Sequence, residues 1–89
     1  MRRIAARVTG RVQGVFFRDS TRRRAIELGL TGWVRNELDG SVRSEAQGAD
    51  QQIDDFVAGL QVGPSQARVA HVDLTGMEPL EDEHGFAIG

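Results

Sequence analysis

Cysteine and lysine are both absent from this 89-residue chain. Without thiols there is no disulfide framework, no thiolate metal site and no cysteine nucleophile. No apolar run is long enough to span a bilayer. No apolar core follows the basic residues at the start, so a secretory signal is not read there and a cytoplasmic location is the expectation. His71 and His84 stand thirteen residues apart, with no acidic partner at metal-ligand spacing. The Gly-x-x-x-x-Gly-Lys-Ser/Thr loop of nucleotide-binding proteins is missing. None of Ser20, Ser41, Ser44 and Ser65 lies in a nucleophile-elbow setting. The carboxylates read as solvated faces and turns rather than as a paired acid and base.

What is present suits one small domain spanning residues 1–89, too short for a second core. The net charge of −2 conceals a segregation. Ten of the 11 arginines fall in residues 1–43 against four acids, whereas residues 44–89 hold Arg68 alone against nine acids. If the first half builds the site, its field favours capture of a small anion.

Residues 3–9 alternate Ile4, Ala6 and Val8 with Arg3, Ala5, Arg7 and Thr9, the pattern of a half-buried strand. Phe17, Thr21, Ala25 and Leu28 repeat at helical spacing over residues 18–28, and Gly29 supplies a stop. A second strand is expected over 32–38. Asp39-Gly40 is a hairpin turn signal, which sends residues 41–47 back antiparallel. Ile53, Phe56, Val57 and Leu60 mark a second helix that starts near Asp50 and is broken by Gly63-Pro64. A long strand from about Ala67 to Thr75 follows, then an acidic loop, Glu81-Asp82-Glu83, and a short final strand, Phe86-Ala87-Ile88. Up to the long strand ending near Thr75 the order is βαββαβ, so the expected fold is α+β: a ferredoxin-like two-layer sandwich with two helices on one face of an antiparallel sheet.

The run Gly10-Arg11-Val12-Gln13-Gly14-Val15-Phe16-Phe17-Arg18 lies between the first strand and the first helix. Its glycines allow a tight turn whose amides can converge on an anion, with a helix N-terminus behind them. Arg18 adds a planar fork that matches a phosphate. The loop and the strand over 32–38 could meet at one end of the sheet. The carboxamide of Asn36, both donor and acceptor, could then orient a water molecule there.

These residues resemble the two signatures of the acylphosphatases. The first is the nine-residue run above; the second is Gly29-Leu30-Thr31-Gly32-Trp33-Val34-Arg35-Asn36. Asp39-Gly40-Ser41-Val42, Ala46-Gln47-Gly48 and Gly63-Pro64 before Ala67-Arg68-Val69 fit as well, so the resemblance spans nearly the whole chain. It implies hydrolysis of the carboxyl–phosphate anhydride of small acyl phosphates without metal or cofactor. By position, Arg18 matches the family's phosphate-binding arginine and Asn36 its water-orienting asparagine. The amides of Val12, Gln13, Gly14, Val15, Phe16 and Phe17 match its phosphate loop. The implied partner is a small acyl phosphate, with no nucleic acid and no membrane, and a monomer is the expected state. One departure is Gly89, where the family usually places a basic or aromatic residue; another is Asp19, an acid next to Arg18. Arg11 to Phe17 also echoes a single-stranded RNA-binding signature. That module displays stacking aromatics on a central strand, and residues 41–47 carry none.

Overall fold

The computed structural model describes residues 1–89. The elements are β1 (Arg2–Arg11), α1 (Phe17–Glu27), β2 (Thr31–Asn36), β3 (Val42–Gly48), α2 (Asp50–Val62), β4 (Arg68–Met77) and β5 (Phe86–Ile88). The strands form one sheet in the order β4-β1-β3-β2-β5, and both helices pack on it. Ile4, Ala6 and Val8 of β1 are buried, as the alternation of that segment requires. They meet Phe17 and Ala25 of α1 and Ile53, Phe56 and Leu60 of α2 in a cluster of 15 buried residues. The β2–β3 turn is closed by Asp39, whose Oδ1 accepts from the Ser41 N–H at 2.9 Å and the Ser41 hydroxyl at 2.6 Å. This is the local side-chain mimicry of a turn that aspartate favours.

The sheet is mixed rather than wholly antiparallel. The β1–β3, β1–β4 and β2–β3 pairs are antiparallel, but β5 runs parallel to β2 through Gly32↔Phe86, Trp33↔Ala87 and Val34↔Ile88. Topology dictates this. The alternating order makes β2 antiparallel to β4, so a chain that reverses after β4 and lands beside β2 must run with it.

The segment between β4 and β5 is tied to side chains of β1 and β3. Arg3, 2% exposed, donates to Glu45 Oε1 at 3.0 Å, to Gln47 Oε1 at 3.1 Å and through two nitrogens to Glu83 at 2.8 and 3.1 Å. Gln47 completes the tie, donating to the Leu80 carbonyl at 2.9 Å and accepting from the Leu80 N–H at 2.8 Å. Glu83 is thereby held below the usual carboxylate range, chiefly by the hydrogen bond from Arg3, against the opposing effect of its partial burial. These bonds fix the path that delivers β5 to the far edge of the sheet.

Candidate active site

The loop between β1 and α1 starts at an irregularity. The β1–β4 register shifts between Thr9 and Gly10, and Gly10 has φ 121°. A Cβ at Gly10 would collide with the carbonyl oxygen of Arg68, so β4 approaches too closely for any other residue. Further on, Gly14 has φ 74°, and Phe16 adopts φ 61° and ψ 24° at the N-cap of α1. The side chains of Val12, Val15 and Phe17 are buried and root the loop in the core. Left-handed residues in a short turn make successive N–H groups converge. The N–H groups of Val12 through Phe16 donate to no acceptor within the chain, leaving five amides for solvent or a ligand. Behind them lies the N-terminus of α1, whose first N–H groups have no intrahelical acceptor and add partial positive charge.

Arg18 sits in the first turn of α1, so it rises beside the amides. One guanidinium nitrogen donates to the backbone oxygen of Gly89. Gly89 is fixed in turn, because its N–H donates to the Val34 carbonyl at 2.8 Å. Arg22, one turn along α1, donates to the Phe86 carbonyl at 2.9 Å and holds the start of β5. Asp19 leaves Arg18 alone, since its carboxylate pairs with Arg23 at 2.9 Å.

Asn36 is the last residue of β2 and its side chain is exposed. It lines a cleft of about 280 Å³ together with Val12, Gly14, Phe16, Phe17, Arg18, Asp19 and Ile88. Six of the eight residues singled out in the sequence therefore face one cavity. The other two do not line it. Val15 turns into the core. The Gln13 side chain runs across to the β2–β3 turn, where its Nε2 donates to the Glu37 carbonyl at 2.8 Å and the Ser41 carbonyl at 2.9 Å. Those two residues contribute a backbone amide to the loop, as do Val12 and Phe17, whose side chains are buried. The same turn carries Asp39, pushed far below the usual carboxylate range first by the Ser41 hydroxyl and then by Arg7.

The cleft offers converging amides, one guanidinium and one carboxamide, and its one carboxylate, Asp19, is paired with Arg23. This set can hold a tetrahedral oxyanion and a water molecule side by side. Two contributors escaped the sequence reading: the Gln13 side chain and Arg22. Each acts through a contact 24 or more positions away in the chain, so local pattern carries no signal for it.

The family model for acylphosphatases matches residues 4–88. An acylphosphatase from Salinibacter ruber is 48% identical over 87 residues, covering 98% of this chain and 92% of the relative. One from Thiobacillus denitrificans is 47% identical over 78 residues, covering 88% of each. Among solved structures, an acylphosphatase from Bacillus subtilis matches with a TM-score of 0.96 at 35% identity, covering 100% of this chain and 99% of that one. An acylphosphatase from Coxiella burnetii matches with a TM-score of 0.92 at 41% identity, covering 99% and 92%.

Proposed function

The chain belongs to the acylphosphatase family, and from that premise we propose how its cleft hydrolyses the carboxyl–phosphate bond of a small acyl phosphate. The phosphoryl group lies against the amides of Val12 through Phe17 and takes a charge-assisted bond from Arg18. Asn36 holds the attacking water. The leaving carboxylate is stable as an anion near neutral pH, so no general acid is needed to expel it. Phosphoryl transfer then depends on positioning and on stabilising charge over the transferring oxygens, which amides and a guanidinium supply. The water's proton passes to an oxygen of the substrate itself, so the lining residues need not include a base.

The observation that carries this reading is the convergence of Arg18 and Asn36 on one cleft with the loop residues Val12, Gly14, Phe16 and Phe17. Hydrolysis of acetyl phosphate, measured beside that of a simple phosphate monoester, tests the reaction class; selective cleavage of the acyl phosphate is expected. Arg18→Ala should lower turnover by about 10²–10³-fold, the usual consequence of losing one donor to developing charge. Asn36→Ala should lower kcat more than it raises KM. Near-full turnover in Arg18→Ala would remove the phosphate assignment.

A further inference from the structure

We propose that the Gln13 side chain is a positioning residue for the hydrolysis, setting the distance between the phosphate loop and the water held by Asn36. This rests on the acyl phosphate reading above. Gln13 belongs to the loop through its backbone, yet both protons of its amide nitrogen are committed elsewhere, one to the Glu37 carbonyl at 2.8 Å and one to the Ser41 carbonyl at 2.9 Å. Glu37 directly follows Asn36. Its N–H also donates to the Ser41 carbonyl at 2.9 Å, so the two accepting carbonyls bracket the base of the turn. The β2–β3 ladder ends at Asn36↔Val42. Asn36 is therefore the last residue held by the sheet, and the adjoining backbone is gripped from the side by the loop that offers amides to the phosphate.

The chemistry of the tie is selective. It needs two donors on one atom at the end of a three-bond side chain. Asparagine is too short. Leucine keeps most of the volume with no donor. Glutamate places a charged acceptor against two carbonyl oxygens. In-line attack is intolerant of displacement, and an error near 1 Å can lower the rate by about a hundredfold. Gln13 acts on kcat by the same route as Asn36, and it need not alter how the loop grips phosphate.

The test is a double-mutant cycle with acetyl phosphate as substrate and inorganic phosphate as competitive inhibitor. Gln13→Leu should lower kcat by about tenfold or more and shift the inhibition constant of phosphate by less than about threefold. In the Asn36→Ala background the same substitution should add little, because the water it positions is already lost. Gln13→Glu should be impaired at neutral pH and recover as pH falls toward about 4–5, where its carboxyl takes a proton and regains one donor. That acid-side recovery would be absent from the wild type and from Gln13→Leu. If Gln13→Leu misfolds, as judged by circular dichroism, the Gln13→Glu pH profile decides alone. Full additivity with Asn36→Ala, an inhibition constant that rises as much as kcat falls, or a Gln13→Glu profile with no acid-side recovery would overturn the inference. Failure of the wild type to cleave acetyl phosphate would instead strike the reading beneath it.

Discussion

The guanidinium of Arg18 donates to the backbone oxygen of Gly89, a residue 71 positions away that is itself anchored to Val34 of β2. The cation proposed above to bind phosphate is thus tied to the edge of the sheet. Arginine can do this because its planar fork carries five N–H donors, so one nitrogen can be fixed while the others face the cleft.

Arg18→Lys separates this geometry from charge alone. Lysine keeps the charge but offers one nitrogen, which cannot span both the Gly89 oxygen and a phosphoryl oxygen in the same way. The expected loss is roughly tenfold or more in kcat/KM with acetyl phosphate. Wild-type kinetics in this variant would mean that a point charge suffices.

Arg3→Ala should destabilise the fold by about 2–3 kcal/mol, somewhat below the usual range for breaking a fully buried pair because the two carboxylates keep some contact with water. The substitution strands Glu45 and Glu83, whose side chains are 14% and 17% exposed. Urea unfolding monitored by Trp33 fluorescence measures it. A change below about 0.5 kcal/mol, the scale of ordinary surface substitutions, would show that the strap contributes little.

The same strap sets an acid limit. The carboxyl of Glu83 is lowered in the folded state, so its contribution is present above the unfolded value near 4.3 and is lost as pH falls through the lower folded value. Wild-type stability should decline below about pH 4–5. Glu83→Gln should start lower at neutral pH and show a shallower acid decline, a difference visible in unfolding midpoints at pH 3, 5 and 7 (about the span of the titration).

Phe16→Gly should stabilise the chain slightly. Phe16 is held at φ 61° with 79% of its surface exposed, so glycine removes the left-handed penalty and sacrifices little packing. The penalty is roughly 1–2 kcal/mol, and the added freedom of glycine in the unfolded chain offsets about half of it. A midpoint raised by an amount near 0.5–1 kcal/mol is expected. A clear loss of stability would mean that the ring has a packing role its exposure conceals.

The layout of the fold was legible where local chemistry decides it. Alternation around Ile4, Ala6 and Val8 gave β1, Asp39-Gly40 gave the hairpin, and the spacing of Ile53, Phe56 and Leu60 gave α2. The cleft was legible because its signatures lie in two short segments. What escaped was set at a distance. The parallel pairing of β5 depends on where the segment after β4 is tied, through an Arg3–Glu83 contact 80 positions apart. The left-handed Phe16 had no local cue, since phenylalanine disfavours that conformation and only the closing of the loop imposes it. Arg22 lies in a run of three exposed arginines, Arg22-Arg23-Arg24, yet it reaches the Phe86 carbonyl. One charge-bearing residue can be both exposed and structural, and composition does not separate the two.

The brevity of β5 has a consequence for heating. Phe86 is buried against Phe56, with ring centroids 6.1 Å apart, but Ala87 and Ile88 are exposed. The end of the strand can therefore fray while its aromatic root and the four longer strands stay in place. Fraying would release Gly89 from Val34 and leave Arg18 without its backstop. Catalysis should fade some degrees before the bulk of the molecule melts, and deuterium should enter the Gly89 amide well ahead of the amides of β1.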